Sequence, residues 1–129
     1  MAWTEKEIRL HSDGSPWRPL IHILDVCSAI TQVLEAPKEL THNQIINVGN
    51  DSQNYRVKEI AEIVAEVFPD CQIKFGSNDP DNRSYRVSFE KIGKLLPQFK
   101  CRHDAKAGAR ELFELFKKIN LDKATFVSK

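Results

Sequence analysis

The segment Asp13-Gly14-Ser15-Pro16-Trp17-Arg18-Pro19-Leu20-Ile21-His22-Ile23-Leu24-Asp25-Val26 decides the fold, because three local signals follow one another in it. Its first four residues are typical of a turn. The alternation of side chains over residues 17–23 predicts a buried strand, and Asp25 stands where the N-cap acceptor of a helix is expected. Apolar residues then recur at helical spacing until Pro37, which predicts a helix over that stretch.

The rest of the chain alternates short strand and helix patterns. Further strands are predicted at residues 44–50, 71–75 and 85–87. Further helices are predicted at residues 57–68, from Ser88 as a cap to just before Pro97, and from Asp104 as a cap to Ile119. The fold class is therefore α/β: a small mixed domain of short strands and about four helices in residues 1–120, followed by a flexible tail at 121–129.

Composition indicates a single domain of ordinary polarity. The chain has 129 residues, of which 41% are hydrophobic and 29% charged, and a formal net charge of +1. This balance gives no electrostatic footprint for nucleic acid, and no apolar run is long enough for a membrane helix. The acidic N-terminus argues against a signal peptide. Three widely spaced cysteines form neither a disulfide framework nor a metal knuckle, so we expect a protein of the reducing cytoplasm.

The sequence carries no recognisable catalytic or metal-binding constellation. The five glycines are too far apart for a dinucleotide-binding turn or a phosphate loop. Neither Tyr55 nor Tyr85 has a lysine four residues later, so a Tyr-Lys acid/base pair on one helix face is missing. The four histidines lack the i, i+4 spacing of a metal helix, and His22 is expected to be a hydrogen-bonded strand histidine. We therefore predict no catalytic residue and no metal ligand in this chain.

Arginine supplies the candidate binding groups. Arg18 lies on a predicted apolar strand, where an unpaired guanidinium is costly, so it is either paired or directed into a cleft. Its planar fork suits a phosphate, whereas a salt bridge to Asp13 or Asp25 is the structural alternative. Arg83 lies in a polar loop before a predicted strand, a place where binding groups are common, although an exposed arginine there is also ordinary.

Four motifs resemble those of one enzyme family, in the same order. Residues 13–26 resemble the stretch GDGxxxRxxIHVxDV, residues 45–49 the strand motif (F/Y)NVG, residues 55–68 the helix that follows it, and residues 82–92 the segment R-x-Y-x-x-D-x-x-K. The family is that of the extended short-chain dehydrogenase/reductases, specifically the NAD-dependent nucleotide-sugar epimerases and dehydratases. The resemblance covers roughly residues 8–119.

The resemblance implies a part of such an enzyme. Family members place a Rossmann domain, which carries the glycine-rich turn and the Tyr-Lys pair, ahead of a C-terminal substrate-binding region, and this chain resembles that C-terminal region alone. By position, Arg18 matches the arginine that contacts the diphosphate of the nucleotide-sugar, and Arg83 lies in the segment that contributes a second phosphate or nucleotide contact. Asp25 takes the helix-cap position, and Asn78 stands near a place where many members have an arginine. NAD is expected in the full-length enzyme and no cofactor in this chain.

Two functional hypotheses follow. The first is the nucleotide-sugar-binding part of an epimerase or dehydratase, inactive without its Rossmann domain. The second is a non-catalytic interaction module that associates, with that missing domain or with itself, through a surface that was once between domains. Neither involves nucleic acid or a membrane.

Overall fold

The computed structural model describes residues 2–77 and 83–122. Within these ranges the strands are β1 (Glu7–Arg9), β2 (Trp17–Pro19), β3 (Asn54–Arg56) and β4 (Gln72–Lys74). The α-helices are α1 (Ile23–Glu35), α2 (Lys38–Thr41), α3 (Val57–Val67), α4 (Glu90–Leu95) and α5 (Ala105–Lys118), and a 3-10 turn covers Asp51–Gln53. The predicted α/β class of short strands and several helices is confirmed.

The strands form two separate pairs. β1 runs parallel to β4, with Ile8 opposite Ile73. β2 runs antiparallel to β3, with Trp17 opposite Arg56 and Arg18 opposite Tyr55. Each pair joins chain segments more than thirty residues apart, so both depend on tertiary packing and neither is a local hairpin.

The predicted strand over residues 17–23 is wrong beyond Pro19. β3 offers only three residues for pairing, and the last pair is Pro19 with Asn54. His22 is the N-cap of α1, because its ring Nδ1 accepts a hydrogen bond from the Leu24 N–H at 3.3 Å. The prediction that Asp25 is the N-cap is therefore also wrong, since Asp25 lies inside the first turn of α1.

The strands predicted at residues 44–50 and 85–87 are not formed. In the second segment an amide side chain takes the place of a partner strand. Asn54 Oδ1 accepts from the Val87 N–H at 2.9 Å, and Asn54 Nδ2 donates to the Val87 carbonyl at 3.0 Å. In the first segment Ile45 is 89% exposed, and its carbonyl accepts from Lys91 Nζ. The first segment lacks a neighbouring strand in the described ranges. The second lies beside β2, but the backbone hydrogen bond from Tyr85 N to the Trp17 carbonyl, at 3.4 Å, does not extend into a strand pair.

Two hydrophobic clusters hold the helices. The first packs α1 on α4 and the loop after it, through Ala29, Phe89, Ile92, Leu96 and Phe99. The second is aromatic and packs the N-terminal segment on α3 and α5, through Trp3, Phe68, Phe113 and Phe116, with ring centroids 5.4–6.5 Å apart. Burial of these rings explains why α3 and α5 form where their apolar periodicity predicts them.

The helix ends agree only in part with prediction. Asp104 caps α5 as predicted, because its Oδ1 accepts from the Ala107 N–H at 2.7 Å. Phe89, and not Ser88, is the N-cap of α4, although Ser88 Oγ accepts from the Glu90 N–H at 3.4 Å. The predicted tail falls mostly on residues 123–129, outside the described ranges, and Leu121 accepts a hydrogen bond from the Trp3 indole at 2.7 Å.

The three cysteines, at positions 27, 71 and 101, are free thiols. Burial raises the pKa of the Cys71 and Cys101 thiols. Across the described ranges, no helix is both long and apolar enough to cross a membrane.

Candidate functional site

Arg18 connects β2 to the segment that contains Arg83. Its Nη1 donates to the Trp17 carbonyl at 2.8 Å and to the Arg83 carbonyl. Its guanidinium carbon lies 5.5 Å from the centroid of the Tyr85 ring, within the range of a cation–π contact. The two arginines singled out from the sequence, 65 positions apart, are thus brought to one place.

Strand alternation divides the side chains around β2 into two faces. Directly opposite residues of an antiparallel pair point to the same side, so Tyr55 lies on the side of Arg18. We call Arg18, Tyr55 and Tyr85 the Arg18 face. Arg18 and Tyr85 are half-buried and exposed, respectively, so this face is open to solvent.

The other side of β2 carries a second group of cationic and aromatic side chains. The guanidinium carbons of Arg56 and Arg86 lie 5.0 and 4.8 Å from the centroid of the Trp17 ring. Trp17 and Arg56 are opposite residues of the strand pair. We call these three residues the Trp17 face.

The carboxylates considered as salt-bridge partners of Arg18 have other partners. Asp13 Oδ1 accepts from the Ser15 N–H at 2.9 Å within the turn. Asp25 is 2% exposed and accepts from the backbone N–H groups of Arg102 and His103 at 3.0 and 3.1 Å. Within the described ranges neither Asp13 nor Asp25 is paired with Arg18.

Asp25 anchors the loop before α5 to the start of α1. Besides the two backbone groups, its Oδ1 lies 3.0 Å from His103 Nδ1. Burial alone acts to raise the pKa of Asp25, but the hydrogen bonds from Arg102 and His103 outweigh it and hold the pKa below the ordinary value of 3.8. The carboxylate is therefore ionised and serves the backbone, which explains its position inside the helix.

His22 is correspondingly a structural residue. Its ring stacks on the ring of His103 with centroids 4.5 Å apart, and its Nε2 lies 3.0 Å from Glu111 Oε2. The prediction that His22 is hydrogen-bonded is confirmed. The prediction that it lies in a strand is wrong, because it is the N-cap of α1.

A polar cavity lies next to the Arg18 face. It is lined by Asn50, Ser52, Gln53, Tyr55, Arg102 and His103, among others. Tyr55 lines this cavity and is also part of the Arg18 face. Because Tyr55 lies directly opposite Arg18 in the strand pair, the cavity adjoins Arg18. Amide, hydroxyl and guanidinium groups of this kind suit a ligand rich in hydroxyl groups.

The glycines in the described ranges do not form a dinucleotide-binding turn. Two of the five glycines lie inside α4 and α5, and the other three are separated along the chain. A Cβ added at any of those three would lie 2.5–2.7 Å from other protein atoms, so each glycine is already packed against the protein. The part of the chain that the structure describes thus has no glycine-lined cradle for the pyrophosphate of NAD. Nor do these ranges hold a group of three or more side chains able to bind a metal ion.

Sequence reasoning missed the aromatic partners of the arginines. The dipeptides Trp17-Arg18 and Tyr85-Arg86 each place an aromatic residue beside an arginine, and this repeated pattern could have indicated the cation–π contacts. The anchoring role of Asp25 had no local signal, because its partners lie 77 and 78 positions away. Asn78 lies outside the described residues.

Comparison with known proteins gives one sequence match and several structural ones. Residues 2–49 match the model of the NAD dependent epimerase/dehydratase family. A search of curated proteins found no match.

Three solved structures share the fold at low sequence identity. The L-threonine dehydrogenase of Clostridium difficile is similar at a TM-score of 0.74 and 19% identity, over 91% of this chain and 38% of that chain. TunA, an NAD-dependent NDP-hexosamine 5,6-dehydratase involved in tunicamycin biosynthesis, is similar at a TM-score of 0.73 and 17% identity, over 89% of this chain and 37% of that chain. The PbgP3 protein of Burkholderia pseudomallei is similar at a TM-score of 0.65 and 22% identity, over 87% and 35%.

This chain spans little more than a third of the length of these proteins. The family match over residues 2–49 includes β1, β2 with Arg18, and the whole of α1 and α2, so it contains the stretch that carries the first motif. The match and the shared fold confirm the resemblance predicted from the sequence: the chain resembles the NAD-dependent epimerase/dehydratase family.

Proposed function

We propose that this chain is the nucleotide-sugar-binding part of an NAD-dependent epimerase or dehydratase of carbohydrate metabolism. The observation that carries the proposal is the contact between Arg18 and the Arg83 carbonyl, which places two arginines at one solvent-accessible surface. The match of residues 2–49 to the family model supports it. TunA, whose name includes an NDP-hexosamine, has the same fold and so supports a nucleotide-sugar as ligand.

Arg18 is the proposed diphosphate contact. A guanidinium has a rigid plane of donors, and a phosphate offers oxygen acceptors in a geometry that matches it. Donation to the Trp17 and Arg83 carbonyls and the contact with the Tyr85 ring hold that plane in a fixed orientation before a ligand arrives. Preorganisation of this kind lowers the entropic cost of binding.

The polar cavity beside Tyr55 is proposed to take part of the sugar or ribose. Its lining offers amide and hydroxyl groups that donate and accept hydrogen bonds, and it adjoins the Arg18 face. A ligand with a diphosphate on Arg18 and hydroxyl groups in the cavity would use both.

Catalysis and NAD binding are proposed to belong to a Rossmann domain of the family type. Neither tyrosine of this chain is followed by a lysine four residues later, and the three glycines outside its helices are packed against protein. We therefore expect this chain by itself to bind ligand in the cytoplasm without turnover.

Isothermal titration with uridine diphosphate tests the proposal. We expect binding to the unmodified chain, a loss of affinity of at least about tenfold in Arg18→Gln, and a smaller loss in Arg83→Gln. Arg110→Gln is the matched control, because Arg110 is an exposed arginine on α5, away from both faces of β2. Unchanged affinity in Arg18→Gln, or no binding by the unmodified chain, would overturn the proposal. Circular dichroism of each variant verifies that it is folded.

A second candidate, a non-catalytic interaction module, is favoured by the outer side of α1. Ile23, Ile30 and Leu34 are 66%, 55% and 80% exposed, and Cys27 is exposed between them. These four residues are three or four positions apart and form one stripe, while Ala29 on the inner side is buried. A helix that is apolar on both sides is usually buried between two layers, so the stripe is suited to cover by another domain or a second copy.

Sedimentation velocity tests the second candidate. We expect concentration-dependent association of the unmodified chain, and its loss in the double variant Ile30→Asp/Leu34→Asp. Glu39→Asp on α2, an exposed and conservative change, is the control. A strictly monomeric chain that binds no hydrophobic dye contradicts this candidate without affecting the first.

A further inference from the structure

The Trp17 face places two guanidinium groups on one indole ring. Arg56 and Arg86 both lie within 5.0 Å of the Trp17 ring centroid, although they are 30 positions apart in the chain. Arg56 is half-buried, and Arg86 is exposed. Two positive charges thus lie against one ring, and Arg56 is partly removed from water, which favours the presence of an opposite charge at this face.

The described residues supply no carboxylate to these two side chains. Glu59, the acidic residue nearest in sequence to Arg56, uses its Oε2 to accept from the Arg56 backbone N–H. Other basic side chains in the described ranges have acidic partners: Arg9 and Lys74 pair with Glu7, Lys94 with Glu90, and Lys106 with Glu66. The Trp17 face thus gathers two cations for which the described ranges hold no carboxylate partner.

The Trp17 face is separate from the Arg18 face. Trp17 and Arg18 are consecutive residues of β2, so their side chains leave opposite sides of the strand. The segment beside β2 repeats this alternation, with Tyr85 against Arg18 and Arg86 against Trp17. The neighbouring backbone supports the arrangement, because Trp17 N donates to Ser84 Oγ at 3.1 Å.

We propose that the Trp17 face is a second oxoanion site, which binds a diphosphate-type group through Arg56 and Arg86. A carboxylate has two oxygens, whereas a diphosphate offers a tetrahedral group to each of the two guanidinium forks. The indole ring holds both forks by cation–π contacts, so the donors are gathered before the anion binds. The site requires neither Arg18 nor the polar cavity, and it stands whether or not the proposed function is correct.

Two-dimensional NMR of the indole N–H groups tests the proposal, with inorganic pyrophosphate as the probe. The chain has two tryptophans, and a Trp3→Phe variant assigns the signal of Trp17. We expect pyrophosphate to shift the Trp17 signal in a saturable way, and Arg56→Gln and Arg86→Gln each to weaken this binding at least about tenfold. Arg18→Gln and Arg110→Gln are expected to leave it unchanged.

Four results would overturn the second site. Sodium chloride at matched ionic strength could produce the same shift, which would indicate general screening. Arg56→Gln and Arg86→Gln could both bind as the unmodified chain does. A short poly-glutamate peptide could bind at the Trp17 signal when pyrophosphate does not, which would assign the face to an acidic protein segment. Loss of the Trp17 shift in Arg18→Gln would place the pyrophosphate on the Arg18 face and would also refute a separate site.

Discussion

Asp25 shows how much one buried side chain can organise. Its carboxylate accepts two backbone N–H groups and a histidine ring nitrogen from the loop before α5, and it is 2% exposed. Hydrogen bonds to a buried charge are stronger than neutral ones, and leaving such donors without an acceptor is costly. Asp25 therefore helps to hold the start of α1 to the loop before α5, together with the contacts of His22 with His103 and Glu111.

Replacing Asp25 by Asn should lower the free energy of unfolding by about 1–3 kcal/mol at pH 7, because the amide presents N–H donors where the loop already donates. Urea unfolding followed by circular dichroism measures the change. Glu66→Gln is the control, since it removes an exposed ion pair with Lys106 that contributes little. Equal effects of the two substitutions would contradict the anchoring role.

The ionised Asp25 side chain should also affect how the free energy of unfolding changes with pH. The pKa of Asp25 in the folded protein lies below its ordinary value of 3.8, so its stabilising contribution is complete above that value and is lost as the pH falls through the folded pKa. Acid unfolding of Asp25→Asn should therefore have a shallower slope than that of the unmodified chain below about pH 4. Parallel slopes would show that Asp25 titrates alike in the folded and unfolded states.

Two glycines should respond in opposite ways to alanine. A Cβ at Gly49 would lie 2.5 Å from the ring of the buried Phe89, whereas a Cβ at Gly93, inside α4, has no atom within 4 Å. Thermal unfolding should show Gly49→Ala destabilised by about 1–3 kcal/mol through overpacking. Gly93→Ala should be stabilised by up to about 1 kcal/mol, through higher helix propensity. An unchanged thermal unfolding of Gly49→Ala would mean that the Phe89 ring can move aside.

At the scale of the elements, local and non-local signals differ in what they predict. The long helices α1, α3 and α5 follow from their apolar periodicity, and Asp104 caps α5 where the sequence indicates. The strands at 44–50 and 85–87 were predicted from side chains that suit a strand, but a strand also needs a partner. The Asn54 side chain occupies the position of that partner beside Val87, and no sequence pattern reveals such a replacement.

For the candidate site, the sequence likewise indicated individual residues but not the residues that contact them. Arg18 and Arg83 were singled out from the sequence and the resemblance, and the structure brings them together. Their aromatic neighbours and the partners of Asp25 depend on contacts between residues that are distant in the chain, so periodicity and spacing could not supply them.

Removing the Asp104 side chain that caps α5 should lower the free energy of unfolding more than removing the Ser88 hydroxyl before α4. Asp104 Oδ1 is 2.7 Å from its N–H donor, whereas Ser88 Oγ is 3.4 Å from its own. We expect Asp104→Ala to lower the unfolding free energy by about 1 kcal/mol and Ser88→Ala to lower it by clearly less. Chemical denaturation of both variants measures this order, and the reverse order would contradict the assignment of the caps.

At the scale of the whole molecule, the two hydrophobic clusters share no residue. One contains Ile92, between α1 and α4, and the other contains Phe113, between α3, α5 and the N-terminal segment. Independent sites in a two-state protein contribute additively to its stability. Besides the apolar side chains, β2, β3 and the Asp25 anchor connect the parts of the chain that carry the two clusters.

The double variant Ile92→Val/Phe113→Leu should therefore have its free energy of unfolding lowered by the sum of the two single-variant effects, within about 0.5 kcal/mol. Each single loss is expected to be about 0.5–1.5 kcal/mol for Ile92→Val and of similar order for Phe113→Leu. Equilibrium unfolding of the three variants completes the cycle. A coupling energy well above that margin would show that the two clusters form one continuous core.

The positions of the two tryptophans give the chain a built-in pair of optical reporters. Trp3 lies in the aromatic cluster and donates to the Leu121 carbonyl, so its fluorescence responds to the docking of α5. Trp17 lies opposite Arg56 in the strand pair and within 5.0 Å of the Arg56 guanidinium carbon, so its fluorescence responds to the opening of β2 from β3. With one tryptophan replaced at a time, a single rapid-mixing experiment can reveal which half of the molecule assembles first.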